Sequence, residues 1–233
     1  MASKGVLYYD FFSQPSRAVL SLLELIGLSD QVELKESPVA TGYLRTAEFT
    51  KFNPNQKVPF YKDSDVSLFE SGAIMKYICA QYLPANDPMY PRHDPQATAQ
   101  VESALLVYHK CVRFSARYFY GAVLAQLNGV EHLFDMKEEA AKAYMVCKLL
   151  DTWLSEHGGR MVTTGLWTIA DILVFHEIMN LHLAEDFSVN NKNLPHLLKF
   201  LRDFAKTQGI GTSVTKLREG LEDAEKNVAY VYE

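Results

Sequence analysis

The sequence predicts an α/β domain followed by an all-α domain. Residues 5–82 alternate between strand and helix patterns in the order β-α-β-α-β-β-α, which predicts a mixed sheet with helices packed on it. From residue 96 onward every pattern is helical, and the stretch between, LPANDPMYPRHDP, holds four prolines in residues 83–95. We therefore predict a first domain at 1–83, a linker at 84–95 and a helical-bundle domain at 96–233.

The strands and helices of the first domain are predicted from residue types and from the residues that start or end each element. A strand is predicted where β-branched and aromatic residues run together, and a helix where an apolar face begins after a proline or serine and ends at glycine. Asn-Pro ends the second helix, and an Asp-rich turn at 63–65 joins the last two strands. The predicted strands are 5–12, 31–36, 57–63 and 66–70, and the predicted helices are 15–27, 46–52 and 71–82.

The second domain shows the periodicity of apolar residues that is typical of α-helices. One of its helices also has a clear N-terminal capping signal. Thr168-Ile-Ala-Asp171 is a capping box that opens an apolar helix, so we interpret it as a folding signal with no chemical role. The predicted helices are 96–127, 136–157, 168–183, 194–207 and 213–229.

Composition excludes several classes of function. The chain has 233 residues, a net charge of −5 and no basic run, so neither nucleic acid nor a membrane is an expected partner. The N-terminus lacks a signal-peptide pattern, and no apolar run is long enough to span a bilayer. Cys79, Cys111 and Cys147 lack CxxC spacing and predict buried free thiols in a reducing, cytoplasmic setting. The seven histidines show no metal-ligand spacing.

Val58-Pro59 precedes a predicted strand. Proline suits a central strand poorly because it has no amide donor. A cis bond at Pro59 would place it at the mouth of the strand and leave the backbone of Val58 free to pair with an extended ligand. The alternative is an ordinary trans proline at a sheet edge.

Glu70-Ser71 stands where the last strand enters a helix. We expect Ser71 to be the N-cap, beside amides that have no partner within the helix. Those amides and the Ser71 hydroxyl could hold a carboxylate, and Glu70 could meet an ammonium group. Together they suit an α-amino acid zwitterion, while the structural alternative is a capped helix with an exposed glutamate.

Ser13 follows the first strand and directly precedes the first helix. It could simply cap that helix. Alternatively, its hydroxyl could donate to a ligand thiolate, an interaction worth about 1.5–3 kcal/mol, with the helix N-terminus adding roughly 0.3–1 kcal/mol. Together these would lower the pKa of a thiol, about 8.5 when free, by about 1.5–3. The chain has no GxSxG motif, so a nucleophilic serine is not expected.

These features together resemble the cytosolic glutathione transferases over nearly the whole chain. That family has a thioredoxin-like first domain, a proline-rich linker and a helical second domain. Val58-Pro59 resembles its cis-proline element, Glu70-Ser71 its γ-glutamyl site, and Thr168 to Asp171 its capping box. FFSQPSRAV and MYPRHDPQATAQVESALL resemble the theta class.

The resemblance implies a detoxifying transferase with glutathione as co-substrate, no permanently bound cofactor and no metal. It implies catalytic roles for Ser13 and Arg113. The residues expected to bind glutathione are Gln14, Arg45, Lys57, Val58, Pro59, Glu70 and Ser71. Tyr108 and Arg117 are expected at the electrophile site.

The chain departs from the family pattern at two places. The loop at 41–46 lacks the histidine that often binds the glycyl carboxylate, so Arg45 or Lys57 would substitute. Lys110 occupies a position where some theta relatives have an aspartate that reaches the partner subunit's glutathione. Tyr8 and Tyr9 are rivals of Ser13, because other classes activate the thiol with a tyrosine at the end of this strand.

Two functions remain open at this point. The first is an enzyme whose bound glutathione thiolate attacks an electrophile or a peroxide, with a peroxidase side activity. The alternative is a non-catalytic module of the same fold that acts as a subunit or scaffold in a larger complex. By resemblance we expect a homodimer, with helix 71–82 and the first helix of the second domain at its interface.

Overall fold

The first seven elements form an α/β domain in the predicted order. The structure is a computed structural model that describes residues 4–119, 121, 135–163, 165–183, 193–207 and 210, with the backbone alone at 40, 111–113 and 182–183. The strands are β1 (Val6–Tyr9), β2 (Glu33–Glu36), β3 (Phe60–Lys62) and β4 (Ser67–Phe69). The helices are α1 (Gln14–Leu25), α2 (Ala47–Phe52) and α3 (Ser71–Tyr82).

The four strands form one mixed sheet in the order β2-β1-β3-β4. β1 is parallel to β2 and antiparallel to β3, and β3 pairs with β4 as the predicted hairpin. Asp63 closes the hairpin turn, since its Oδ1 accepts from the amides of Asp65 and Val66 at 2.8 and 2.9 Å. The predicted mixed sheet is confirmed.

The two faces of the sheet are covered by different helices. Leu7 on β1 is opposite Tyr61 on β3, and both belong to the core that α1 and α3 cover. The neighbouring pair, Tyr8 and Phe60, points to the other face. There the Tyr8 and Phe60 rings pack with Phe49 and Phe52 of α2. Successive side chains of β1 and β3 therefore point to opposite faces of the sheet, and helices cover both faces. This alternation accounts for the three layers of the domain, which are helix, sheet and helix.

The helical part comprises α4 (Pro95–Phe119), α5 (Met136–Glu156), α6 (Ile169–Leu183) and α7 (Pro195–Ala205). α6 packs against α4 and also against α1, so it joins the two parts of the chain. Asp171 accepts from the amide of Thr168 at 2.9 Å and from the amide of Met161 at 2.8 Å, which confirms the capping role. The predicted helix at 213–229 lies outside the described residues.

The proline-rich segment between α3 and α4 is tied to the end of α3. The Arg92 guanidinium donates to the carbonyls of Cys79, Ala80 and Leu83. The boundaries 1–83, 84–95 and 96–233 remain a prediction. Among the residues described, no helix combines the length and apolarity that crossing a membrane requires.

Candidate active site

Ser13 is the N-cap of α1. Its hydroxyl accepts from the Ser16 amide at 3.4 Å, and its side chain is 8% exposed. The structural alternative for Ser13 is therefore confirmed. Capping uses only a lone pair, so the hydroxyl proton can still be donated to a ligand. A single serine can thus begin the helix and hold an anionic sulfur at the same time.

Asp10 holds the loop that carries Ser13. Its Oδ1 accepts from the Phe12 amide and its Oδ2 from the Val39 amide, both at 2.8 Å. One carboxylate therefore fixes both the turn before α1 and the start of the 38–46 segment, which carries Arg45. Sequence reasoning missed this role. A signal for it was present in the sequence, because an aspartate can accept from the backbone amide two residues further on, here Phe12, and so form an Asx turn.

The peptide bond between Val58 and Pro59 is cis. The loop before it is held by Asn53, which is fully buried. The Asn53 side chain donates to the Lys57 carbonyl at 2.8 Å and accepts from the Asn55 amide at 3.1 Å. The loop therefore presents Lys57 and Val58 in a fixed conformation directly before β3.

Glu70 turns the chain sharply from β4 into α3. Its backbone has φ 71° and ψ 111°, a combination that costs a residue with a side chain about 1–3 kcal/mol. The prediction that Ser71 is the N-cap is wrong, since Glu70 occupies that place and Ser71 is the first residue of the helix. The unusual backbone of Glu70 completes the turn within one residue, so the helix begins earlier than the serine suggested. Ser71 is 4% exposed.

A pocket of about 180 Å³ lies between the two parts of the chain. The loop before β3, the start of α3, the first turn of α1 and the middle of α4 all contribute to its wall. The lining residues are Pro15, Asn55, Lys57, Val58, Pro59, Glu70, Ser71, Tyr108 and His109. Six predicted residues therefore meet here, although 51 positions separate Lys57 from Tyr108.

Four of the remaining predicted residues, Ser13, Gln14, Arg45 and Arg117, are not among these lining residues. Ser13 is two residues from Pro15, Arg45 is exposed on the turn before α2, and Gln14 is 2% exposed. Arg117 lies 3.8 Å from the Glu139 carboxylate on α5. Arg113 is in α4, and its side chain is outside the described residues. The roles of these five stay predictions.

Comparison with known proteins connects this geometry to a family. The family model for the glutathione S-transferase N-terminal domain matches residues 4–80. Human glutathione S-transferase theta-2 is 32% identical over 177 residues, which is 74% of this chain and 70% of that protein. Glutathione S-transferase T1 of Arabidopsis thaliana is 30% identical over 186 residues, 77% of this chain and 74% of that protein. The chain belongs to the glutathione S-transferase family.

Solved structures agree with this membership. The apo form of human glutathione S-transferase T1-1 is 25% identical and has a TM-score of 0.81, covering 95% of this chain and 91% of that one. Human glutathione transferase theta-2, solved with glutathione and an unknown ligand, is 27% identical with a TM-score of 0.77. It covers 96% of this chain and 91% of that one. The thioredoxin-like domain and the theta-class resemblance are therefore confirmed.

Neither tyrosine of β1 lines the pocket of this glutathione S-transferase. Tyr8 packs among the aromatic rings of α2, with centroids 5.2–5.8 Å away. Burial, assisted by Glu36, raises the pKa of Tyr9 above its ordinary value. The choice between Ser13 and these tyrosines as thiol activator stays a prediction.

The described cysteines of this transferase are not placed for catalysis. Cys79 and Cys147 are buried free thiols, as predicted, and burial raises the pKa of each to about 12. Thiols of that kind are inert at neutral pH. Among the described residues no group of three or more His, Cys, Asp or Glu could hold a metal ion.

Sequence reasoning missed three residues of the pocket wall, Pro15, Asn55 and His109. His109 is on α4 next to Tyr108, with the two rings 5.7 Å apart between centroids. Helical periodicity predicts which face of α4 is apolar, but it does not indicate which turn of α4 faces a loop fifty residues earlier. The clue for Asn55 was its place in the Asn-Pro-Asn break.

Proposed function

We propose that this chain transfers glutathione to an electrophile and that Ser13 stabilises the glutathione thiolate. The observation that carries the proposal is the shared pocket wall of Val58, Glu70 and Ser71 beside the first turn of α1. Its relatives bear the names of glutathione S-transferases, which favours an enzyme over a non-catalytic module. A cytoplasmic location, where buried free thiols stay reduced, belongs to the same proposal.

Glutathione would span the pocket in an extended conformation. The γ-glutamyl ammonium would pair with Glu70, and its carboxylate would accept from the Ser71 hydroxyl and the first amides of α3. The cysteinyl backbone would pair with Val58 in the manner of an added strand. Lys57 would hold the glycyl carboxylate, with Arg45 near that end, and Gln14 would contact the ligand from α1.

The chemistry then requires only a stabilised sulfur and an electrophile. The Ser13 hydroxyl donates to the thiolate, and the thiolate attacks the electrophilic carbon and displaces the leaving group. With a hydroperoxide, the thiolate takes the outer oxygen as the O–O bond breaks, and the alkoxide leaves as an alcohol after it takes a proton. The thiol of a second glutathione then displaces water from the sulfenic acid and gives the disulfide. Arg113 would stabilise developing negative charge, and Tyr108 and Arg117 would border the electrophile.

The test is turnover of the purified chain with glutathione and three classes of substrate: an activated aryl halide, an epoxide and an organic hydroperoxide. We expect product that depends on both enzyme and glutathione in at least one class. Bound glutathione without turnover in any class would contradict the enzyme and favour the non-catalytic module.

The unusual backbone of Glu70 gives a paired prediction. Glu70→Gly should raise the free energy of unfolding by about 1 kcal/mol, because glycine adopts this conformation without strain. It should also weaken glutathione binding, because the carboxylate for the ammonium group is lost. Thermal unfolding and calorimetry measure the two effects.

Glu70→Gln is the matched control for that prediction. It loses the charge and keeps the strained backbone, so affinity should fall without a gain in stability. Equal stability of the Gly and Gln variants would show that the backbone of Glu70 stores no strain.

A homodimer through α3 and α4 is part of the proposal. Leu106 on α4 is 67% exposed, and the Lys76–Glu102 ion pair at 3.0 Å links α3 to α4 on the same surface. Leu106→Glu should weaken dimerisation by about tenfold or more, because a charge would replace an apolar contact at the interface. Sedimentation velocity measures the change.

Met145, on α5, supplies the control for the dimer. It is 71% exposed but lies outside the proposed interface, so Met145→Glu should leave the dimer intact. A dimer that survives Leu106→Glu, or that Met145→Glu disrupts, would place the interface elsewhere.

A further inference from the structure

A buried acid lies beneath the first turn of α1. Glu177 is on α6 and is fully buried. It is surrounded by α1, which carries Gln14 and Arg17, by α4, which carries Ser115, and by α5, which carries Cys147. A fully buried carboxyl group is uncommon in protein cores unless it is paired or functional.

The hydrogen bonding of Glu177 is incomplete. The Ser115 hydroxyl donates to its Oε1. Its Oε2 is buried and has no hydrogen-bond partner among the described residues, and the same holds for Nε2 of Gln14. The Gln14 amide is nevertheless close enough to lower the pKa of Glu177. A buried acceptor on Glu177 and a buried donor on Gln14 thus lie close together, each without a hydrogen-bond partner among the described residues.

Gln14 is the residue directly after Ser13 and the first residue of α1. The same turn is also held from the helical part of the chain by Arg17, which donates to the Phe11 carbonyl at 2.8 Å and to Asn180 on α6. The loop that presents the Ser13 hydroxyl is therefore anchored to α6 by Arg17. The second polar side chain on this side of α1, Gln14, lies beside Glu177, a group that can change its charge.

We propose that Glu177 is a positioning residue that acts through Gln14 to set the Ser13 hydroxyl, and that it does so only when ionised. This inference rests on the proposed role of Ser13. A carboxylate Oε2 accepts from the Gln14 amide and fixes the first turn of α1. A protonated Oε2 presents a donor to the amide N–H, so this bond is lost and Gln14 must turn its amide over to accept through its carbonyl, which moves the first turn of α1.

The surroundings of Glu177 place the change from its carboxylic acid to its carboxylate near neutral pH. Burial raises the pKa of Glu177 to about 7, although Ser115, Arg17 and Gln14 all act to lower it. Arg17 is the charged group that faces it from α1, and Cys147 faces it from α5 as a neutral thiol. His176, next to it on α6, stays neutral because burial and Arg17 lower its pKa. Glu177 is therefore the group in this cluster that titrates near neutrality.

The first arm of the test needs no ligand. The cost in stability of Gln14→Met is measured at about pH 5.5 and about pH 8.5 in the wild-type and in the Glu177→Gln background. We expect the cost to be larger at the higher pH in the wild-type background and independent of pH with Glu177→Gln. An equal cost at both pH values in the wild-type background would overturn the link between Gln14 and Glu177.

The second arm follows the thiol of bound glutathione by the ultraviolet absorbance of the thiolate. We expect Glu177→Gln to lower the acid dissociation constant of the bound thiol about fivefold, the effect of one ordinary hydrogen bond, so that thiolate forms at higher pH than in the wild type. Glu139→Gln, a buried carboxyl on α5 paired with Lys142 at 3.0 Å, is the matched control and should titrate like the wild type. A wild-type titration in Glu177→Gln would overturn the positioning role.

The two arms separate this inference from the proposed function. If the wild type binds no glutathione, the proposed function fails and the first arm alone decides whether Glu177 holds Gln14. If glutathione binds and is ionised equally in all three proteins, the proposed function stands and the inference fails.

Discussion

Ser13→Ala should lower turnover with an electrophile by about 10- to 150-fold at neutral pH. The hydroxyl proton is available because capping uses only a lone pair, and a hydrogen bond to an anion is worth about 1.5–3 kcal/mol. Without that bond the bound thiol should titrate closer to its ordinary pKa, so part of the loss should be recovered at high pH. Steady-state kinetics between about pH 6 and pH 9 measure the effect.

Loss of the helix cap is the competing explanation for such a result. Removing an N-cap costs about 1 kcal/mol of stability whatever the site does. Asp135→Ala removes the cap of α5, where Oδ1 accepts from the amides of Lys137 and Glu138, and should reduce stability without loss of activity. Full activity in Ser13→Ala would remove Ser13 from the mechanism and bring Tyr9 back as a candidate.

The second large effect concerns stability and pH. Burial raises the pKa of Glu177 from 4.5 to about 7, so the folded protein binds a proton there that the unfolded chain has already released. The contribution of this group is fully present below about pH 4.5 and is lost as pH rises through about 7, a change of about 3 kcal/mol. Glu177→Gln cannot ionise and should lack this loss.

Urea unfolding of the two proteins at about pH 5 and about pH 8 gives the measurement. Relative to the wild type, Glu177→Gln should gain roughly 2–3 kcal/mol between the two pH values. The comparison cancels the contributions of His176 and Asp171, which both proteins share. A difference between the proteins that does not change with pH would mean that Glu177 titrates normally. The expected result also implies that the ionised form lowers stability while it supports Ser13.

Much of the fold could be predicted because its signals are local. The order of strands and helices, the hairpin turn and the Thr168 cap all depend on residues within a few positions of one another. Strand β1 ends at Tyr9, earlier than the aromatic run to Phe12 suggested, because Asp10 leaves the sheet to bind two amides of neighbouring loops. Burial of that carboxylate in a hydrogen-bonded turn outweighs the strand propensity of the two phenylalanines.

The candidate site could be predicted in part. The residues at 57–59 and 70–71 could be identified from the sequence. Each group has a characteristic residue type at a point where one secondary-structure element ends and the next begins. The backbone of Glu70 could not be predicted, since a positive φ is usual only for glycine, asparagine and aspartate. The contact between Gln14 and Glu177 joins positions 163 residues apart, and no periodicity in either helix indicates it.

The most direct test of the whole account is a calorimetric titration of the purified chain with glutathione, beside S-methylglutathione. We predict saturable binding of one glutathione per chain, with proton release that increases when the thiol ionises at Ser13. S-methylglutathione should bind the same site without that proton release, because it has no thiol. Absence of binding at millimolar glutathione would contradict the account and would mean that the pocket formed by Lys57, Val58, Glu70 and Ser71 serves another ligand.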